Sequence, residues 1–136
     1  MNTLLSEHPD VIWGAKIQWT PGSIAFPSAF VDAGVVARKL TINNLGRAAL
    51  EVILSLGPEL VGYGALFDVV DHQNNSVLDT PISIDNTNGD TLVLNVTFDY
   101  SSGIGLHKMN LQLQTNDPTN QNVQVPLSAT VRDRRN

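Results

Sequence analysis

From Ala15 to Val131 the apolar residues of this chain recur at every second position in short runs, and none keeps helical spacing for more than about a turn. Successive side chains of a strand point to opposite faces, so a two-residue rhythm describes strands with one buried face and one solvated face. The chain is therefore expected to be all-β. The clearest run covers residues 91–100, where Leu92, Leu94, Val96 and Phe98 share a face, after a plain turn signal in residues 85–90. In residues 107–115, Met109, Leu111 and Leu113 alternate with Lys108, Asn110, Gln112 and Gln114. The last strand is expected from Asn122 through Val123, Val125, Leu127, Ala129 and Val131.

The first half is more broken. A strand at residues 15–19 is stopped by Thr20-Pro21-Gly22, and residues 24–26 continue it until Pro27, which cannot donate to a ladder and so points to an edge or to a strand switching sheets. Residues 36–42 put Val36, Leu40 and Ile42 on one face, and Asn43-Asn44-Leu45-Gly46 then turns the chain with residue types that tolerate positive φ. Residues 50–56 follow, ended by Gly57-Pro58; shorter strands are expected at 67–70, 77–78 and 82–84. Some seven to nine short strands with turn signals every eight to twelve residues predict an immunoglobulin-like antiparallel β-sandwich, with a closed barrel as the alternative. The expected organisation is an N-terminal arm (1–13), a sandwich domain (14–131) and a basic C-terminal tail (132–136).

Composition narrows the function classes. The 136 residues are 42% apolar and only 15% charged, as suits a packed domain rather than a disordered tail. Eight basic against thirteen acidic residues give a net charge of −5, which disfavours phosphate backbones and anionic lipid, so neither nucleic acid nor a membrane is expected as partner. There is no cysteine, hence no thiol nucleophile, disulfide or iron–sulfur ligation. The first ten residues show neither a basic region nor a long apolar run; taken as the native start they imply cytoplasmic synthesis without a signal peptide.

Particular motifs along residues 20–131 carry a resemblance. They are Thr20-Pro21-Gly22-Ser23-Ile24-Ala25-Phe26, Leu40-Thr41-Ile42-Asn43-Asn44-Leu45-Gly46, Asn88-Gly89-Asp90 before the strand ending in Phe98, and Leu111-Gln112-Leu113-Gln114-Thr115-Asn116-Asp117-Pro118. Val125-Pro126-Leu127-Ser128-Ala129-Thr130-Val131 closes the series. In this order they resemble the immunoglobulin-like ASH and MSP group, named for the abnormal spindle protein, hydin and the major sperm protein. The most specific part is the Thr-Asn-Asp-Pro turn with Pro-Leu-Ser-Ala-Thr eight residues on. There Asn116 and Asp117 can bond their own backbone and Pro118 fixes φ. Departures are Leu45 where the group usually has threonine, Asp99-Tyr100 where Phe-x-Pro is frequent, and Ala129 where glycine is frequent. The resemblance implies a non-enzymatic module that scaffolds assemblies.

No catalytic or metal constellation emerges. His8, His72 and His107 lie in separate segments without ligand spacing, and the ordinary expectation for His72 and His107 is a solvated side chain. Asp85-x-Thr87-x-Gly89-Asp90 lacks the distal glutamate of a calcium loop and is better explained as a hairpin turn. Neither a cofactor nor a metal is expected.

Two features exceed core duty. Leu4, Leu5, Val11, Ile12 and Trp13 give the arm more apolar bulk than a loose tail needs, so it is expected to pack on a neighbouring subunit or on a sheet edge of its own domain. Arg132, Arg134 and Arg135 concentrate positive charge in the tail, leaving five basic and twelve acidic residues in 1–131, so one copy's tail could meet another's acidic face. The expected function is a non-catalytic structural protein that binds protein partners, copies of itself or a larger assembly, such as a bacteriophage capsid-decoration or tail component of a virion. In that case the amide-rich strand faces give adaptable contacts. The alternative is a cytosolic adaptor that recognises a peptide or protein by strand addition at a sheet edge.

Overall fold

The computed structural model describes residues 14–85 and 91–133. Its strands are β1 (Ile17–Thr20), β2 (Ile24–Ala25), β3 (Ala29–Phe30), β4 (Val35–Asn44), β5 (Leu50–Val61), β6 (Leu66–Val70), β7 (Ile82–Ile84), β8 (Thr91–Asp99), β9 (Gly105–Thr115) and β10 (Asn122–Arg132), with one 3-10 turn at Tyr100–Ser102. One sheet has the order β1-β4-β8-β6, the other β2-β10-β9-β5-β7 with β3 also beside β10. Two separate sheets, with no strand joining their edges among the described residues, make an immunoglobulin-like sandwich and not a closed barrel. The sheet switch expected at Pro27 falls earlier, across the cis Thr20–Pro21 peptide: β1 pairs with β4, whereas β2 and β3, on either side of Pro27, both run parallel to β10 in the other sheet.

The alternating residues meet between the layers. Leu40, Ile42, Val69, Leu94, Val96 and Phe98 from the first sheet face Leu50, Val52, Leu54, Leu111, Val125 and Leu127 from the second, all essentially without exposure. Phe26, Phe67, Phe98 and Tyr100 form a ring cluster, with Phe67 and Phe98 centroids 4.7 Å apart and Tyr100 edge-on to Phe98 at 4.9 Å. Tyr100 belongs to the 3-10 turn rather than to the long strand, and its hydroxyl donates to the Pro27 carbonyl.

Three local expectations are corrected. Gly57-Pro58 does not end β5. The strand bulges there and pairing with β9 resumes at Glu59↔Met109 and Val61↔Lys108, because a bulge spares proline the ladder bond it cannot make. His107 is not solvated but 2% exposed; its Nε2 lies 2.8 Å from the Gly103 carbonyl and its ring packs against Phe98. The turn after β4 does not use positive φ, since Asn44 and Gly46 are not among the residues with that conformation. Gly46 is needed for space, because a Cβ there would run into the Gly14 carbonyl oxygen and lie 2.9 Å from the Lys16 nitrogen. Gly46→Ala is accordingly expected to cost about 3 kcal/mol, read as a lower urea midpoint at unchanged slope; a cost under about 0.5 kcal/mol would count against this packing.

Candidate protein interface

Of the interface residues expected from sequence, Arg132 alone is among the described ones; Leu4, Leu5, Val11, Ile12, Trp13, Arg134 and Arg135 lie outside them. Arg132 ends β10 opposite Phe30, and its guanidinium carbon stands 4.6 Å from the centre of that ring. It is therefore engaged on its own β3 by a cation–π contact.

What the structure adds is a pair of open sheet edges on one side of the sandwich. Along β6, the Val69 carbonyl accepts from the Val77 amide at 2.9 Å and the Val69 amide donates to Asp68 Oδ1 at 2.8 Å, so the backbone of Val69 faces away from β8. By the two-residue period, Phe67 faces the same way. The returning chain bridges Val70 at Ser76 and covers this half of the strand, but among the described residues no strand lies along Leu66, Phe67 and Asp68. On β5 the pattern repeats. β7 covers Leu50–Val52 and the Asp79 amide donates to the Leu54 carbonyl at 2.7 Å, while residues 56–61 have β9 on one side and no strand on the other among the described residues.

The two open edges are joined by Gly62-Tyr63-Gly64. Both glycines have positive φ (88° and 74°), and Gly62 has no room for a Cβ beside the Leu106 carbonyl and His107 Nδ1. Tyr63 between them is 89% exposed, and Leu60, Val61 and Leu66 are exposed alongside. The sequence signal for this region was a tyrosine flanked by glycines after a proline; reading Gly57-Pro58 as a strand end concealed it.

The outer face of the first sheet shapes the ground beside the β6 edge. Register places Val35, Asp99 and Leu66 in one cross-strand row and Ala37, Thr97 and Asp68 in the next. A cleft of about 440 Å³ lies there, lined by Val35, Leu66, Asp68, Leu78, Thr97 and Asp99. Asp68 Oδ1 accepts from the Ser76 hydroxyl at 2.8 Å, and Asp99 Oδ1 from the Ser101 amide at 2.9 Å. Neither carboxylate has an ion-pair partner among the described residues. The outer face of the second sheet differs: Asn110, Gln112, Gln114, Asn122 and Gln124 make an uncharged amide field, with Asn110 Nδ2 donating to Gln124 Oε1 at 3.0 Å.

Two buried polar groups hold the opposite end of the sandwich together. Asn44 Oδ1 accepts from the amides of Lys16 and Gly46 at 3.3 and 3.0 Å, and its Nδ2 donates to the carbonyls of Ala48 and Ile84 at 2.7 and 3.0 Å. Asp117, 1% exposed in the turn between β9 and β10, accepts from the Ile17 amide at 3.0 Å, from the Thr119 amide and hydroxyl at 2.9 and 2.8 Å, and from Asn120 at 3.3 Å. Burial pushes its carboxyl up, but the bonds from Ile17, Thr119 and Asn120 outweigh that and hold it at about 2. Asn116 serves β5 instead of its own turn, accepting from the Glu51 amide at 2.9 Å and donating to the Ala49 carbonyl at 3.1 Å. Asn44 and Asp117 are both saturated with structural bonds. Among the described residues no three histidine, aspartate or glutamate side chains gather as metal ligands, and no helix is long and apolar enough to cross a membrane.

No family model matches the sequence, and no curated protein matches it. Solved structures do. The ASH/PapD-like domain 7 of human CEP192 superimposes with a TM-score of 0.57 at 16% identity, covering 87% of this chain and 86% of that one. The chain has the immunoglobulin-like fold of ASH and PapD-like domains. A second match is the CsuC-CsuE chaperone–tip adhesion subunit pre-assembly complex from archaic chaperone-usher Csu pili of Acinetobacter baumannii, with a TM-score of 0.50 and 12% identity over 86% of this chain and 57% of that one. A family 123 glycoside hydrolase from Clostridium perfringens matches with a TM-score of 0.56 and 6% identity over 88% of this chain but 27% of that one. The chain thus spans about half and about a quarter of those two longer relatives. At such identities the fold is what is shared, and activity has to be argued from the site.

Proposed function

We propose that this chain is a non-catalytic protein-interaction module that takes an extended segment of a protein partner along its open sheet edge. The observation that carries this reading is the side of residues 56–61 and 66–68 along which no strand lies among the described residues, beside exposed Leu60, Val61, Tyr63 and Leu66. An open edge offers main-chain donors and acceptors for one more strand, and apolar neighbours supply the area that makes such pairing persist in water. The likeness to a chaperone–subunit complex supports it. Panning a random-peptide display library on the full chain is expected to enrich extended binders. Their affinity should fall at least about tenfold in a Leu60→Gln, Leu66→Gln variant and hold in Gln112→Ala. No enrichment, or binders indifferent to the double variant, would sink the edge reading.

A second reading, assembly with copies of itself in a larger shell such as a virion, draws on the same edge and on the charge separation between Arg132, Arg134 and Arg135 and the acidic remainder. Light scattering of the full chain beside a chain beginning at Gly14 tests it. Assembly through the arm requires the full chain to be larger than a monomer and the shorter one to dissociate; identical monomers rule it out.

A further inference from the structure

Resting on the reading that the open edge takes a protein partner, we propose that the β6 edge at Leu66, Phe67 and Asp68 selects an extended segment in which apolar residues alternate with lysine or arginine. A strand added to an edge continues both faces of the sheet, so its alternate side chains meet two different surroundings. On the inner side they extend the core layer beside Phe67, which is 6% exposed, and so want apolar groups. On the outer side they stand next to Asp68 and the Val35–Asp99–Leu66 row.

That row has an unusual composition. Val35 is 62% exposed and Leu66 51%, and the Asp99 carboxylate sits between them. A lysine stem can lie across the aliphatic side chains while its ammonium reaches a carboxylate, which matches both features with one side chain. An apolar residue in the same place would strip water from Asp68 and Asp99 without supplying a counter-charge, and an acidic one would add repulsion. Among the described residues no basic side chain lines the cleft, and Lys39 on this face stands opposite Asn95, one row beyond Thr97.

The test is a titration of the isotope-labelled full chain with two synthetic capped peptides of about nine residues, one alternating valine with lysine, the other valine with glutamate. The expected result is amide shifts centred on Leu66, Phe67 and Asp68, with the lysine peptide binding at least about tenfold more tightly and losing that advantage at high salt. Asp68→Asn with Asp99→Asn keeps the Oδ1 acceptors used by Ser76 and Ser101, and should bring the two affinities within about threefold. Equal affinities in the unmodified chain, with shifts at this edge, would overturn the charge selection and leave the interaction reading standing. Shifts confined to the β2 or β7 edges would overturn the charge selection and the placement of the binding edge together. No saturable shift anywhere with either peptide would overturn both.

Discussion

Replacing Phe98 by alanine is expected to cost about 4 kcal/mol of folding stability. The ring is fully buried at the middle of the aromatic cluster, with Phe26, Phe67, Tyr100 and His107 centroids at 5.9, 4.7, 4.9 and 5.7 Å. Removing it therefore deletes the contacts of four neighbouring rings at once and leaves a cavity between two hydrogen-bonded sheets that cannot collapse freely. A domain of this size is stable by only about 5–15 kcal/mol, so a large part of the margin goes. Phe98→Leu, which keeps most of the volume, should cost about 1.5 kcal/mol. Urea unfolding followed by tryptophan fluorescence and by circular dichroism measures both. An alanine variant within about 1 kcal/mol of the parent would mean the layers do not meet through this ring.

The second large effect belongs to Asp117. Asp117→Ala is expected to cost about 3 kcal/mol, because it leaves the buried Ile17 amide without its acceptor and removes the bonds that hold Thr119 in the turn. The same carboxyl makes stability depend on pH. Its value is about 2 in the folded chain against 3.8 unperturbed, so the folded state binds its proton less readily than the unfolded one. The contribution, about 2.5 kcal/mol, is complete above the unfolded value and is lost as pH falls from about 5 through about 2. Asp117→Asn cannot titrate, so the difference in unfolding free energy between parent and variant should shrink by about that amount over this acid range. A difference that stays constant with pH would show that the carboxylate form is not what the amides hold.

Much of this molecule is legible in its sequence because strand geometry is local. The rhythm of Leu92, Leu94, Val96 and Phe98, or of Met109, Leu111 and Leu113, is enough to assign both strand and inner face, since a pleated backbone sends alternate side chains to opposite sides whatever lies around it. The Thr-Asn-Asp-Pro turn was equally readable as a tight connection, although its Asp117 reaches much further than its own turn, to an amide 100 residues away. Histidine was misjudged for a related reason: the position of His107 at the start of β9 says nothing about the Gly103 carbonyl and the Phe98 ring that enclose it.

The interface was less legible still. Alternation told that these segments were strands and which residues they would bury; local backbone stereochemistry determines that much. Which strand would lie beside which, and where the chain between Ser76 and Asp79 would stop covering β6 and β5, was decided only by the tertiary arrangement. An edge is open when no other part of the chain reaches it, and that is a property of how all the strands are stacked rather than of the residues on the edge.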